Sequence, residues 1–297
     1  MSARVIQDYF YPGLLRGTLF FILLAIVQGS YAVEYHNTDV TAPDSTSEEV
    51  TKSKHNLYGS AGAGYNMIYM GSSLSQDKPF YSGGLIYGFN KEFYVSAYGV
   101  HLNIFDPLIS FSSFSLNYSH AFNSWFDIAL SASRYQANKT LTDTLFTSFF
   151  YADLTLGFDW KLLYTKLSAG GLFSESSSAY LQLRNSRFFQ TPEIFKGKAF
   201  FSFDPYVNLL FGVLTETTEG TVLSPPYRKG GRNGNSSSST TSRFGLMEID
   251  LGLPISFDIG RFTIDAEPGY TIPVYSGTTI QSAKGFVFSL SVYFRIL

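Results

Sequence analysis

The chain has no cysteine among its 297 residues. That excludes disulfides, zinc–thiolate sites, a cysteine nucleophile and a lipoprotein anchor. It also suits an oxidising compartment, where an unpaired thiol is a liability. Charge is scarce as well. Asp, Glu, Lys and Arg make up 15% of the residues, against about 25% in soluble domains. A net charge of −2 gives no general attraction to nucleic acid. Long apolar runs are missing: the one helix-like stretch, Leu19 to Val27, falls well short of the roughly 20 residues a spanning helix needs. No glycine-rich phosphate loop is present. Gly59, Gly62 and Gly64 lie within a strand-like segment, where small residues permit close packing or curvature. Nothing in the chain asks for a cofactor or a metal.

What is abundant is aromatic: 18% of the residues, with 29 Phe and 21 Tyr but 2 Trp. Mean hydropathy is +0.04, too low for a helical membrane protein. Aromatic-rich, charge-poor and bland on average is what a transmembrane barrel requires, because one face of each strand meets lipid and the other meets water. At the N-terminus, Arg4 and Arg16 precede the Leu19–Val27 run, and small residues around Ser30 and Ala32 follow it. This is the pattern of a secretory signal peptide over residues 1–32, with cleavage expected after Ala32. Residues 33–56 are polar and aperiodic and read as a flexible periplasmic segment. The barrel is expected over residues 57–297.

Alternation supports that reading. Phe262, Ile264, Ala266, Tyr270, Ile272 and Val274 share one face, while Thr263, Asp265, Glu267, Gly269 and Thr271 share the other. Met247, Ile249, Leu251, Leu253, Ile255 and Phe257 likewise oppose Glu248, Asp250, Gly252, Ser256 and Asp258. A soluble β-sandwich alternates too, so length arbitrates. Several segments run a dozen residues or so, whereas soluble strands average about 5–6 and tilted membrane strands need about 9–11.

Connections also alternate in length. Asn90–Glu92, Ala121–Asn123, Asp159–Lys161 and Asp258–Gly260 are tight. Gly71–Lys78, Asn138–Leu145 and Ser276–Ala283 are longer. Short turns inside and long loops outside is the asymmetry of outer-membrane barrels. Reading Ala179 to Phe189 as a strand and Thr191–Gly197 as a turn keeps the alternation intact. It also gives an even count: an all-β, antiparallel barrel of twelve strands with both termini periplasmic, ten or fourteen being the alternatives. Thr215–Ser242 then becomes the largest external loop.

At the C-terminus Phe286, Phe288, Leu290, Val292, Phe294 and Ile296 alternate with Val287, Ser289, Ser291, Tyr293 and Arg295. This resembles the terminal strand of Gram-negative outer-membrane β-barrel proteins. The departure is Leu297, where that class usually ends in Phe or Trp. The resemblance implies outer-membrane localisation, contact with outer-membrane lipid, and recognition of the last strand by the barrel-assembly machinery.

Chemistry is harder to find. Asn117-Tyr118-Ser119-His120 invites comparison with outer-membrane phospholipases, whose Ser and His lie two apart. Here they are adjacent, so a strand points them to opposite faces. His101 with Asp106 resembles the His–Asp pair of outer-membrane proteases, but no second carboxylate pair accompanies it. No catalytic residues are assigned, and a lipid- or peptide-hydrolysing enzyme stays a minor alternative.

The wet face carries the functional signal. Asp153, Asp204, Glu248, Asp250, Asp265 and Glu267 are expected to line the lumen, with Lys166, Arg184 and Arg295 as the inward bases. Acidic linings concentrate cations and reject anions. The expected function is a narrow passive channel for small polar or cationic solutes. The alternative is a closed barrel whose acids pair internally and whose external loops bind a protein or ligand.

Overall fold

In the computed structural model, the described residues are 54–69, 72–139, 148–174, 177–195, 197–217, 220–223, 241–274 and 284–297. The segment expected to be a signal peptide (1–32), residues 33–53, the Ser276–Ala283 loop and most of Asn138–Leu145 and Thr215–Ser242 lie outside them. The described chain forms a closed antiparallel barrel of twelve strands. They are β1 (His55–Tyr65), β2 (Pro79–Phe89), β3 (Phe93–Leu102), β4 (Phe111–Ala121), β5 (Phe126–Ala137), β6 (Phe149–Asp159) and β7 (Tyr164–Phe173). β8 is Ser177–Ser186 and resumes at Phe189–Gln190; β9 is Ala199–Phe203 and Tyr206–Thr217; β10 is Thr241–Gly252 and Ile255–Ile259. β11 (Phe262–Pro273) and β12 (Gly285–Arg295) complete the wall.

The paired pieces of β8, β9 and β10 keep one register across their interruptions, so each is a single strand with a break. Each strand pairs with the next, and β12 closes on β1 from Tyr58↔Arg295 to Tyr65↔Phe288. Closure removes the free edges that an open sheet would expose. β1 opens at His55, two residues before the expected start, and His55 Nδ1 lies 2.6 Å from the Tyr87 hydroxyl.

Burial alternates along most of the wall. Phe, Leu, Val and Ile side chains such as Leu85, Phe114, Leu116, Leu130, Phe262 and Leu290 point out and are exposed. Most polar strand residues, and tyrosines such as Tyr58, Tyr94, Tyr98, Tyr135 and Tyr293, point in and are buried. One expectation is overturned. Met247 sits inside, at 5% exposure, rather than on the outward apolar face. The register of β9 against β10 shifts between Leu210 and Phe211, from Leu210↔Glu248 to Phe211↔Leu246, which makes Met247 the extra residue of a bulge. A bulge breaks the period of two locally, so Met247 turns in over Gly212, where a Cβ would meet its sulfur.

The interior tyrosines do not project freely. Tyr98 on β3 lies against its cross-strand partner Gly84 on β2, and its hydroxyl meets Ser60 Oγ on β1 at 2.8 Å. Tyr180 crosses Gly170 to hydrogen-bond Tyr151, and Tyr164 crosses Gly157 to donate to Asp127 at 2.5 Å. Tyr206 crosses Gly252 and donates to Glu267 at 2.9 Å. Each ring occupies space that any Cβ at the glycine would take, and ties together strands two apart.

At the end of the barrel where β1 begins and β12 ends, which is the end of its two termini, a run of aromatic rings follows the outer wall from β3 to the β6–β7 turn. Phe93, Tyr118, His120, Phe122, Phe126, Phe158 and Trp160 follow one another at centroid distances of 4.7–6.4 Å. Amphipathic rings gather at membrane–water interfaces.

Candidate functional site

Among the described residues, the buried ionisable groups fall on one side of the interior. Seven carboxylates (Asp153, Asp204, Glu248, Asp250, Asp258, Asp265 and Glu267) accompany two buried bases, Lys166 and Arg184. Exposure of these nine runs from 0% at Glu248 and Glu267 to 7% at Asp153 and Asp204. Arg295, on β12, is only half-buried and pairs across the strand with Tyr58.

β8 to β11 supply most of the group. Arg184 Nη2 lies 3.4 Å from Asp204 Oδ2, and its guanidinium stacks 3.5 Å from the centre of the Tyr206 ring. Tyr206 in turn donates to Glu267. One strand row away, Gln182 donates to Asn208 at 2.6 Å, and Asn208 donates to Asp250 Oδ2 at 2.8 Å. Thr271 donates to the other Asp250 oxygen at 2.9 Å. The chain of bonds therefore crosses β8, β9, β10 and β11 without a break.

Arg184 is held in this lining by two kinds of contact. A guanidinium held by a carboxylate and an aromatic face combines charge attraction with a cation–π contact. Asp153 lies apart, on β6, where its Oδ2 accepts from Thr155 at 3.1 Å. Lys166 on β7 has its ammonium 5.2 Å from the Tyr164 ring centre. Glu248 and Glu267 are wholly buried on β10 and β11, and Asp265 stands two residues before Glu267 on the same face.

The tyrosines were the residues that sequence reasoning missed. The signal was present: Tyr58, Tyr98, Tyr180, Tyr206 and Tyr293 all occupy inward positions, while phenylalanine dominates the outward ones.

The histidines are placed otherwise. Ser119 is buried inside and His120 faces out at the rim, where its Nδ1 lies 2.8 Å from Glu92 Oε1. His101 Nδ1 lies 3.1 Å from the Pro107 carbonyl, and its ring stacks on Tyr81. Groups of three or more possible metal ligands do not occur among the described residues.

A closed antiparallel barrel with an apolar, ring-studded outside and a polar inside is a membrane-spanning barrel of the outer-membrane class. No family model matches the chain, and no curated protein matches it in sequence. Solved structures similar to it include LpxR from Salmonella typhimurium, at 7% identity over 80% of this chain and 99% of that one, with a TM-score of 0.46. The NanC porin is similar at 8% identity over 80% and 98% of the two chains, TM-score 0.43. CdiB from Acinetobacter baumannii is similar at 12% identity over 82% and 60%, TM-score 0.31. Likenesses at this level say nothing about activity, which has to be read from this chain's own residues.

Proposed function

We propose that the protein is an integral outer-membrane barrel whose interior selects small cationic solutes, as a narrow passage and not as a wide water-filled pore. The observation that carries this reading is the imbalance of seven buried carboxylates against two buried bases. Such a lining lowers the energy of a cation inside the barrel and raises that of an anion. Exposures of 0–7% argue against a wide water column, which would leave the same side chains wet. Interior tyrosine faces suit organic cations in particular, because a ring face attracts positive charge.

The test begins with protein recovered from the outer-membrane fraction and reconstituted in a planar bilayer. A small conductance is expected, with a reversal potential in a salt gradient that reports cation preference. Replacing Asp265→Asn together with Glu267→Gln should weaken that preference without loss of folding. Absence of measurable current would sink the passage, and recovery in the inner-membrane fraction would sink the location.

A second reading has its own support. Asp250 and Glu267 already accept hydrogen bonds from Asn208, Thr271 and Tyr206, as carboxylates do in a permanently packed polar core. On that reading the barrel is a closed scaffold, and its work is done by the loops at the end opposite the termini. A silent bilayer with an intact, folded barrel is the result that favours it.

A further inference from the structure

β8, β9 and β10 each break once, and the breaks lie side by side. The registers on either side put Arg187, Pro205, Leu253 and Pro268 in one row, with Asp204, Pro254 and Glu267 in the next. Every second pair of facing residues in an antiparallel ladder exchanges two backbone bonds, and Arg187/Pro205, Asp204/Pro254 and Leu253/Pro268 are pairs of that kind. Here one of each two is made: Arg187 N–H donates to Pro205 O at 3.1 Å, Asp204 N–H to Pro254 O at 3.1 Å, and Leu253 N–H to Pro268 O at 3.0 Å. The return bond cannot form, because proline has no N–H. Three neighbouring strand gaps therefore lose a ladder bond at the same depth. Proline inside sheets is otherwise confined to edges and bulges. The β2–β3 and β4–β5 ladders, by contrast, run from end to end without interruption.

Toward the end with the termini, this row sets off a small sheet: Phe189–Gln190, Ala199–Phe203, Ile255–Ile259 and the first residues of β11. One side of it continues into β12. On the other side the β7 ladder ends at Tyr164↔Ser186, so Phe189–Gln190 has a strand neighbour only in β9 among the described residues. The Arg187 side chain spans that gap, donating to the carbonyls of Lys161 and Leu162 in the β6–β7 turn. Inside, the Arg184–Asp204 pair and the Tyr206–Glu267 bond join the body of the wall to the row itself.

We propose that the proline row is a hinge, and that the sheet beyond it is a flap that swings to open or narrow the barrel end carrying the termini. Arg187 is its latch on the rim, and Arg184 with Asp204 is its latch inside. The hinge does not depend on whether the barrel conducts, and its test reads backbone exchange rather than current.

Hydrogen–deuterium exchange on the folded, membrane-reconstituted barrel should show amides of 199–203 and 255–259 exchanging at least about tenfold faster than those of 93–97, 117–121 and 126–130 at the same end. The triple variant Pro205→Ala, Pro254→Ala, Pro268→Ala restores the three missing donors and should slow the flap toward those controls. Simple fraying of a strand end would not respond to it. Arg187→Ala should accelerate the flap while leaving the controls unchanged. Equal protection of flap and controls in the native protein overturns the hinge, as does a flap that ignores both variants. Should the triple variant not fold, as judged by the gel mobility of unboiled protein, Arg187→Ala decides alone: unchanged exchange overturns the proposal.

Discussion

The wall of β3–β5 and the wall of β8–β11 solve the same problem differently. Both must line a polar interior with side chains that satisfy one another. In β3–β5 the polar groups buried in the lining are short and neutral apart from tyrosines: Ser96, Ser113, Ser115, Asn117, Ser119, Ser131 and Ser133 are buried there, and the one carboxylate, Asp127, is only half-buried near the start of β5. Ser133 bonds Ser115 at 2.8 Å and Ser131 bonds Asn117 at 2.7 Å, each to its direct cross-strand neighbour. For these serines local partners suffice, and the backbone ladder stays regular. In β8–β11 the lining is charged and reaches further. Arg184 pairs with Asp204, and Tyr206 passes over a whole strand to find Glu267. That wall also contains the bulge at Met247 and the row of prolines. Departures from regular sheet geometry gather where the charge is.

The sharpest way to break this contrast is to remove one interior partner from each wall. Arg184→Met removes the buried base of the acidic wall, since the other buried base among the described residues, Lys166, stands on β7. Stranding a buried ion-pair partner should cost about 3–5 kcal/mol. Ser115→Ala in the neutral wall loses one uncharged bond, worth about 0.5–1.5 kcal/mol. Urea unfolding in a defined lipid system measures both, and equal losses would mean that the two walls are energetically alike. The outside should show no such difference. Leu116 and Leu251 are exposed residues near the middle of β4 and β10. Replacing either with Arg should cost about 2–4 kcal/mol if it lies near the bilayer midplane. A clear inequality between Leu116→Arg and Leu251→Arg would extend the contrast to the lipid face.

Most of the neutral wall was legible in the sequence, because strict alternation over a dozen residues has one structural meaning. The twelve strands, the tight turn at Asn90–Glu92 and the opposite faces of Ser119 and His120 all follow from a period of two. The acidic wall was legible in composition and not in geometry. The inward acids could be named one by one, yet nothing local announces that Tyr206 reaches Glu267, since the two are 61 residues apart. Met247 failed for a related reason. A bulge is a property of two strands together, and the β10 sequence by itself continues the alternation without a gap. The prolines are plain to see singly. Their alignment into one row exists only once three registers are known.

The glycine joints probe the contrast most finely, because the same device occurs in both regions. A Cβ at Gly84 would come within 2.5 Å of the Ala97 carbonyl oxygen and 2.6 Å of the Tyr98 ring, and one at Gly252 within 2.2 Å of the Tyr206 ring. Gly84→Ala and Gly252→Ala must therefore each displace a ring, an overpacking cost of about 1–3 kcal/mol. The consequences then diverge. A displaced Tyr98 gives up a hydroxyl contact with Ser60, which is neutral and only half-buried. A displaced Tyr206 withdraws a donor from Glu267, a wholly buried carboxylate, and bonds to charged groups are worth about 1.5–3 kcal/mol against about 0.5–1.5 for neutral ones. Gly252→Ala should therefore be the worse substitution, by about 1 kcal/mol. Each can be compared with its own ring variant. If the loss at Gly252 is mainly the loss of the bond to Glu267, then Gly252→Ala placed on top of Tyr206→Phe should cost no more than Gly84→Ala placed on top of Tyr98→Phe. If the excess at Gly252 persists without the hydroxyl, it belongs to the tighter ring contact, and the interior charge has no part in it.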